Sequence, residues 1–218
     1  MTSEDPETAR QIAELSRDTR PLLVLDVDEV VLEFIRPFIG FLGAQGLRFD
    51  TMSFRLNGNI SDVASGMALD NDRVAALLDG FFAVQAEWQV AAEGAGETIR
   101  ALADGAEIVM LTAMPHKHRA VRRALLDRLD FPYPLLTTER AKGPAIRQLR
   151  GEHARPVAFV DDLPHNLVSV RGAVADAHLF HVMAHAEMRK LLPPLPDGIQ
   201  AAENWRDAGP KIGAALGL

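Results

Sequence analysis

Two pairs of aspartates come directly after short apolar runs in this sequence. Asp26 and Asp28 follow the run LLVL, and Asp161 and Asp162 follow the run VAFV. The carboxyl ends of parallel strands share one edge of a sheet, and ligands bind at that edge. Four carboxylates there would repel one another, and an oxygen-preferring dication such as Mg²⁺ would remove the repulsion. The spacing therefore predicts an aspartate-rich Mg²⁺ site at a sheet edge.

Thr112 and Lys142 are placed to share that edge. Thr112 directly follows the run IVML, and Lys142 lies between the predicted third strand and the run VAFV. A single threonine after a strand is commonly a helix N-cap, and a single lysine is commonly on the surface. Their order together with the two aspartate pairs favours one shared site, to which Lys142 supplies a fixed positive charge.

Five short apolar runs predict the strands that position these residues. Nearly continuous apolar character is typical of strands buried on both faces of a parallel sheet. Helical periodicity fills the gaps, which predicts an α/β fold with a doubly wound, mainly parallel, five-stranded Rossmann-like sheet. The predicted strands are Leu22–Leu25, Ile108–Leu111, Pro134–Leu136, Val157–Val160 and His178–Val182. The predicted helices between them are Glu97–Ala103, Lys117–Leu129, Pro144–Leu149 and Leu167–Ala175.

The connection between the first two strands is far longer than one crossover helix requires. Its clearest helix is Val74–Val90, for which Asn71 or Asp72 is the predicted N-cap. Phe54–Asp62 is polar and predicts a turn region. The predicted organisation is a core of residues 1–32 and 93–192, an inserted helical module of residues 33–92, and a peripheral C-terminal tail of residues 193–218 with one short helix.

Composition excludes several classes of protein. The 218 residues include 30 acidic and 23 basic side chains, a formal net charge of −7. A net acidic surface repels phosphate backbones, so nucleic acid is not an expected partner. The chain has no cysteine, which excludes disulfides, thiolate nucleophiles and cysteine zinc sites. The first twenty residues lack a signal-peptide pattern and the apolar runs are too short to span a bilayer, so we expect a cytoplasmic protein without membrane association.

Four segments together resemble the motifs of a known enzyme family. LLVLDVDEV, IVMLTAMP, ERAKGPAI around Lys142, and VAFVDDLPHN are similar, in order and strand-end context, to the four motifs of the haloacid dehalogenase (HAD) superfamily of phosphatases and related phosphotransferases. The resemblance covers residues 22–166. It implies a HAD core in which residues 33–92 form a C1-type cap over the site.

The resemblance implies a role for each motif residue. Asp26 would be the nucleophile that forms an aspartyl-phosphate, and Asp28 would act as general acid and then general base. Thr112 and the backbone N–H of Ala113 would bind a phosphoryl oxygen. Lys142 would offset the charge of Asp26 and of the transferring group.

The resemblance also implies a Mg²⁺ ion. Asp26, the backbone carbonyl of Asp28 and the later aspartate pair would hold it. Asp162 is expected to be the direct carboxylate ligand, with Asp161 bound to a metal water or to Lys142, and the reverse assignment of these two is open. For Asn166, bracing of the metal site and capping of the next helix are equal alternatives.

The acid at position 28 bears on the reaction. An acid here favours cleavage of phosphate esters over carbon–halogen hydrolysis, because an alkoxide leaving group needs a proton. The resemblance therefore implies a Mg²⁺-dependent phosphatase that acts on a small soluble phosphomonoester. A phosphomutase and a non-catalytic binding or regulatory module on the same fold remain alternatives.

The inserted module is expected to supply residues that select the substrate. Arg55 is the first candidate, because its guanidinium would bind a second anionic group of the substrate; a solvated turn is the alternative. Other candidates are Asn57, Asn59, Phe34, Arg36 and Trp88. The interior of the module is expected to contain Phe38, Phe41, Phe81 and Phe82. His116 and His118 are expected to be solvated at a helix start, and His178, His181 and His185 are not expected to bind zinc.

Overall fold

One parallel sheet organises the chain. The computed structural model describes residues 5–16, 18–50, 53, 55–152 and 154–218. Its strands are β1 (Leu22–Leu25), β2 (Leu47–Phe49), β3 (Ile60–Asp62), β4 (Glu107–Thr112), β5 (Leu135–Thr137), β6 (Val157–Asp161), β7 (His178–His181) and β8 (Ile199–Ala201). Its helices are α1 (Pro6–Ala13), α2 (Ile35–Gly43), α3 (Asn71–Ala83), α4 (Gln85–Trp88), α5 (Ala95–Ala103), α6 (Arg119–Arg128), α7 (Lys142–Arg150), α8 (Pro164–Ala173), α9 (Ala186–Arg189) and α10 (Trp205–Leu216), with a 3₁₀ turn at His116–His118. Within these ranges, every helix is too short or too polar to cross a membrane.

The sheet confirms the predicted α/β class. Its strand order is β5-β4-β1-β6-β7-β8, and all neighbouring strands are parallel. Each of the five predicted apolar runs supplies a strand. The described chain has six strands in this sheet rather than five, because β8 pairs with the outer side of β7. β8 lies at the edge and exposes Gln200 and Ala201, so it lacks the apolar run that marks the other strands.

Alternating side chains of β1 give the sheet two apolar faces. Leu23 and Leu25 belong to a buried cluster formed with α5, α6 and α10. Leu22 and Val24 belong to a second cluster, formed with α7 and α8. All four side chains are fully buried, and each such burial stabilises the fold by about 1.5–3 kcal/mol. This rigid central strand positions the residues that follow it.

Residues 33–92 form a helical module with one short hairpin. β2 and β3 pair antiparallel, a feature that three-residue strands do not reveal in the sequence. The predicted helix Val74–Val90 is divided into α3 and α4 at Val84, whose φ and ψ of −113° and 16° leave the helix. Asp70 is the N-cap of α3, with its carboxylate accepting from the Arg73 N–H, so the predicted cap at Asn71 or Asp72 was wrong. Of the predicted polar turn, Phe54 lies outside the described residues.

Two adjacent chain crossings join the module to the sheet. The backbone N–H of Glu33 donates to the Val90 carbonyl at 2.9 Å, and the N–H of Ala92 donates to the Val31 carbonyl at 2.9 Å. The entry and exit segments are therefore paired with each other. They lie close to the predicted boundaries at residues 32/33 and 92/93.

The C-terminal segment is more deeply packed than the peripheral tail that the sequence predicts. It supplies the edge strand β8 and the helix α10, whose residues Trp205, Ala208 and Ile212 are buried against the sheet. The indole N–H of Trp205 donates to the Val30 carbonyl at 2.8 Å. Several buried positions of α10 are Ala or Gly, which contribute little apolar surface. The composition of this segment therefore suggests a loosely attached tail.

Candidate active site

The carboxyl ends of three central strands bring the predicted residues together. β1 ends directly before Asp26, β4 ends at Thr112 and β6 ends at Asp161. The backbone N–H of Asp26 donates to the Val160 carbonyl at 2.9 Å, which extends the β1–β6 ladder by one bond. The polar residues thus leave the sheet at one edge, as parallel topology requires.

Lys142 lies at the centre of this edge. Its Nζ atom is 2.7 Å from Asp26 Oδ1 and 2.6 Å from Asp161 Oδ2. Asp26, Asp161 and Asp162 are all buried, and one carboxylate oxygen of each lies within 4.8 Å of the others. Residues separated by more than 130 positions in the chain therefore form one buried acidic cluster with one ammonium group.

The charges of this cluster are unbalanced. Burial raises the pKa of Asp26 to about 7; Lys142 opposes that rise, and the nearby Asp161 and Asp28 add to it. Burial also raises the pKa of Asp162 well above its usual range, and neighbouring carboxylates raise it further. For Lys142, burial alone would lower the pKa, but the two carboxylates that it contacts raise it above its usual range. Lys142 is therefore a permanent cation, and the negative charge around it exceeds what it can neutralise.

Gly143 allows Lys142 to reach the cluster. Lys142 and Gly143 begin α7, which packs against α8. A Cβ atom at Gly143 would lie 2.3 Å from the Ser169 carbonyl oxygen of α8, a distance that real side chains do not reach. The Gly143 N–H also donates to Ser169 Oγ at 3.2 Å. The absence of a side chain here sets the close helix contact that aims Lys142 at the sheet edge.

The two neighbouring aspartates have different surroundings. Asp161 is fully buried and accepts hydrogen bonds from Lys142, from the Asn166 amide at 3.0 and 3.1 Å, and from the Leu163 N–H at 2.8 Å. Asp162 lines a cavity in front of Asp26, and its carboxylate receives no hydrogen bond from the described residues. Asp161 is thus held by protein donors, whereas Asp162 faces the space where a ligand would lie.

Asp28 is held by an arginine that the sequence analysis missed. The Arg122 guanidinium donates to both carboxylate oxygens of Asp28, at 2.9 and 3.1 Å, and has no exposed area. It also donates to Gln85 Oε1 and, at 3.2 Å, to Gln89 Oε1. Gln89 in turn donates to Asp28 Oδ1 at 2.9 Å. Asp28 therefore sits in a network that joins the sheet edge, α6 and the inserted module.

A spacing signal for Arg122 was available in the sequence. The predicted helix 117–129 places its arginines opposite the apolar stripe, yet Arg122 lies three and four residues before Leu125 and Leu126, which are fully buried. Positions three and four apart share one face of a helix. Arg122 can be buried on this face because Asp28, 94 residues away in the chain, offsets the cost of removing its charge from water.

Known proteins relate to this chain through structure alone. No family model matches the chain, and neither does any curated protein. A predicted phosphoglycolate phosphatase from Haemophilus somnus 129PT is similar with a TM-score of 0.57 and 16% identity, over 90% of this chain and 99% of that one. A predicted phosphatase from Clostridium acetobutylicum gives 0.55 and 11%, over 89% and 99%. A HAD family hydrolase from Deinococcus radiodurans R1, solved with bound phosphate and sodium, gives 0.53 and 15%, over 91% and 97%. This chain has the HAD fold.

The inserted module of residues 33–92 lies between β1 and β4, and it is called the cap below because the motif resemblance predicts that role. Its buried cluster includes Phe38 and Phe81, as predicted, together with Met183 and Met188 from the segment after β7. The cap therefore packs onto the strand-end edge rather than standing apart from it. The assignment of this cap to the C1 type stays a prediction.

Glu29, in the loop after β1, joins that loop to the start of the cap. Its backbone φ is 63°, a left-handed conformation that a residue with a Cβ rarely adopts. The buried carboxylate accepts from the N–H groups of Phe34 at 2.8 Å, Ile35 at 2.7 Å and His185 at 2.9 Å. These bonds satisfy the start of α2 and compensate for the backbone strain, which is on the order of 1 kcal/mol.

A cavity of about 240 Å³ lies in front of the acidic cluster of this HAD fold. Asp26, Asp28, Thr112, Ala113, Asp162 and Asn166 line it, together with apolar side chains. Thr112 Oγ1 accepts from the Met114 N–H at 3.2 Å and lies 3.4 Å from Asp28 Oδ2. Lys142 lies behind Asp26, where it is fully buried. Of the predicted site residues, Lys142 and Asp161 therefore lie behind the cavity, and five surround it: Asp26, Asp28, Thr112, Ala113 and Asp162.

The other candidates have varied locations. Arg55 is exposed and does not line the cavity, whereas its neighbour Leu56 does. Phe34 lines the cavity, and so does Phe82, which was expected in the cap interior. Trp88 packs against Phe41, with ring centroids 5.9 Å apart.

The polar candidates of the cap have protein partners. Arg36 pairs with Glu33 at 3.1 Å. The Asn59 amide donates to Ser53 Oγ and to the Arg55 carbonyl, both at 2.7 Å, within the hairpin turn. Asn57 is exposed and is absent from the cavity lining.

The histidines near the site have structural partners. His116 Nδ1 lies 2.6 Å from Thr137 Oγ1, and His118 Nε2 lies 2.8 Å from Asp79 in α3. His118 is buried and joins the core to the cap, rather than being solvated as predicted. The Nε2 atom of His181 lies 2.8 Å from the Asp162 carbonyl, and burial lowers the pKa of this imidazole.

Proposed function

We propose that this HAD-fold protein is a phosphatase that hydrolyses a small phosphomonoester through an aspartyl-phosphate on Asp26. The observation that supports it most directly is the contact of Lys142 with both Asp26 and Asp161, at 2.7 and 2.6 Å, beside a cavity lined by Asp28 and Thr112. A carboxylate can attack a phosphoryl group only where the charges of both are offset. A structural neighbour of the same fold was solved with bound phosphate, which supports a phosphorylated ligand.

The donor set fits a Mg²⁺ ion. Hard carboxylate oxygens are the ligands that Mg²⁺ prefers, and three buried carboxylates lie close together here beside one lysine. We assign Asp26, Asp162 and the backbone carbonyl of Asp28 as ligands. Asp161 supports the site through Lys142 and Asn166. When bound, the ion would neutralise charge on the phosphoryl oxygens.

Asp26 is the proposed nucleophile. Lys142 donates to Oδ1, which leaves Oδ2 as the oxygen that attacks phosphorus. An Asp26–phosphorus bond forms, the ester phosphorus–oxygen bond breaks, and the departing alkoxide takes a proton. Water then attacks phosphorus, which releases inorganic phosphate and restores the carboxylate. Thr112 and the Ala113 N–H hold the phosphoryl oxygens during both steps, while Lys142, behind Asp26, offsets the negative charge of that carboxylate and of the transferring group.

Asp28 is the proposed proton carrier. It lines the cavity next to Asp26, which suits transfer to the leaving oxygen and later from water. Both of its carboxylate oxygens accept from Arg122. Proton transfer therefore requires one oxygen to exchange an Arg122 contact for the substrate oxygen, while the second contact keeps the carboxyl group aimed at the cavity.

Release of inorganic phosphate from a panel of phosphomonoesters and acetyl phosphate, with Mg²⁺ and with EDTA, tests the proposal. We expect turnover that EDTA abolishes and Mg²⁺ restores. Asp26→Asn should lower the rate by at least about 10³-fold while the protein stays folded. Asp127→Asn, at an exposed site on α6, is the matched control that should keep the wild-type rate.

Three outcomes contradict the proposal. Turnover that persists in Asp26→Asn excludes the assigned nucleophile. Isomerised sugar phosphate without phosphate release indicates a phosphomutase. Rates no higher than those of Asp26→Asn on every substrate favour a non-catalytic module.

A further inference from the structure

The cavity in front of Asp26 has two chemically different parts. The polar part is the sheet edge, where the acidic cluster, Thr112 and the Ala113 backbone lie. In the proposed function this part binds the phosphoryl group. The rest of the cavity must then receive the organic group of the ester.

That remaining part is lined by apolar side chains and by Glu29, whose carboxylate oxygens already accept hydrogen bonds from three backbone N–H groups. The apolar side chains come from the start of α2, the hairpin turn, α3, the segment after β4, the segment after β7 and α9, so they surround the space from several sides. Met114, Met183 and Met188 are buried, whereas Phe34, Leu56 and Phe82 are half-buried and keep apolar surface towards the cavity. These six residues, Phe34, Leu56, Phe82, Met114, Met183 and Met188, are called the apolar wall below.

No positive charge lines this cavity among the residues that the structure describes. Lys142 and Arg122 contact the carboxylates of Asp26 and Asp28, which line the cavity. Both cations are fully buried behind these carboxylates. His118 contacts Asp79 and is absent from the cavity lining, although its ring centroid lies 5.9 Å from that of Phe82. Arg55 is exposed next to Leu56 but points no atom into the cavity lining.

We propose that the substrate of this site is a phosphomonoester whose organic group is apolar and uncharged, a short alkyl or a single aryl group. This inference rests on the proposed phosphatase function. A hydroxyl or carboxylate of the substrate placed against the apolar wall would lose its hydration without gaining a partner. A methylene group placed there gains the hydrophobic stabilisation of burial. The whole cavity, of about 240 Å³, must hold the phosphoryl group as well, which leaves room only for a compact organic group.

A matched series of esters tests the inference through kcat/KM for phosphate release. Ethyl, propyl and butyl phosphate differ only in buried methylenes, and we expect kcat/KM to rise about fourfold for each one. Glycerol 3-phosphate and 3-phosphoglycerate are of similar size but carry hydroxyl or carboxylate groups, and we expect both to fall at least tenfold below butyl phosphate. A preference for either polar ester would overturn the inference.

Two substitutions in the hairpin of β2 and β3 distinguish the effect of the apolar wall on kcat/KM from the effect of an ordinary surface change. Leu56→Gln replaces an apolar wall residue by a polar one of similar size, and it should flatten the rise of kcat/KM with chain length. Val63→Gln changes an exposed residue of the same hairpin, 60% accessible and outside the cavity, and should keep the wild-type rise. If Arg55→Ala selectively weakens 3-phosphoglycerate turnover in a protein that prefers this ester, the site recognises a second anion and the inference is wrong.

Binding of alkylphosphonates gives a readout that does not depend on turnover. Calorimetric titration of the wild type and of Asp26→Asn in Mg²⁺ buffer should show Kd falling about fourfold per methylene from ethyl- to butylphosphonate. If this trend holds without any hydrolysis, the apolar ligand stands and the phosphatase proposal fails. If esters are hydrolysed but Kd does not depend on chain length, the phosphatase proposal stands and the apolar inference fails.

Discussion

Replacing Arg122 by methionine removes the centre of a buried polar network. The variant leaves the Asp28 carboxylate with the Gln89 amide at 2.9 Å and the Thr112 hydroxyl at 3.4 Å as donors. It also leaves the side-chain carbonyls of Gln85 and Gln89 without the guanidinium. Breaking one half of a buried ion pair costs about 3–5 kcal/mol of unfolding free energy. The Asp28 side chain keeps 20% of its surface exposed, so we expect the lower end, about 3 kcal/mol.

Urea denaturation measures this loss directly, provided that the m-value is unchanged. For a chain of this size, about 3 kcal/mol corresponds to a fall in Tm of about 6–12 °C. The double variant Arg122→Met with Asp28→Asn removes the unpaired charge as well. It should therefore lose less than the sum of the single variants, with a coupling of about 1–3 kcal/mol.

A control on the same helix shows whether the loss is specific to the network. Arg128→Met changes an exposed arginine and should stay within about 0.5 kcal/mol of the wild type. A loss below about 1 kcal/mol in Arg122→Met, or strict additivity with Asp28→Asn, would show that the buried pair is not energetically coupled and would refute the reasoning.

Three further results are expected. Saturating Mg²⁺ should raise the Tm of the wild type in a thermal melt, and Asp162→Asn should lose most of that rise; an equal rise in both would remove Asp162 from the metal site. Gly143→Ala should lower the free energy of unfolding, measured by urea denaturation, by about 1–3 kcal/mol because the new Cβ meets the Ser169 carbonyl. The control Gly172→Ala has open space around its Cβ and should not be destabilised. Equal stabilities of the two variants would show that the close helix contact is not required. Although burial opposes the shift, hydrogen bonds and a nearby histidine lower the pKa of Asp5 to about 2 from 3.8. Its ionised form therefore contributes stability above pH 4 that is lost as the pH falls towards 2. Asp5→Asn keeps the cap but removes the charge, so its deficit at pH 6, about 0.3–1 kcal/mol, should shrink at pH 3; a constant deficit would contradict this.

The sheet could be predicted because its strands are encoded locally. Strands such as Leu22–Leu25 are buried on both faces, and continuous apolar runs mark them without reference to the rest of the chain. Once the strands are known, parallel topology alone brings Asp26, Thr112 and Asp161 to one edge. The sequence therefore predicted which residues would meet.

The missed features depend on contacts between distant segments. Arg122 is buried only because Asp28 and two glutamines of the cap surround it, and none of these partners lies nearby in the chain. Glu29 adopts a left-handed backbone that its residue type disfavours, and the compensating bonds come from α2 and from His185. The edge strand β8 has no apolar run, so only its pairing with β7 defines it. The spacing of Arg122 from Leu125 and Leu126 indicates its buried face but not its partners, and no local pattern indicates the conformation of Glu29 or the pairing of β8.

The bond between Trp205 and Val30 has a consequence for how the molecule is made. The loop that carries Asp26 is synthesised well before one of its buried supports, which lies 175 residues later in the chain. Until the ribosome has passed position 205, this loop lacks its hydrogen bond to the Trp205 indole. Synthesis proceeds at about 5–20 residues per second, so the nascent polypeptide spends on the order of ten seconds or more without that bond. The late addition of α10 then covers the face of the sheet next to this loop.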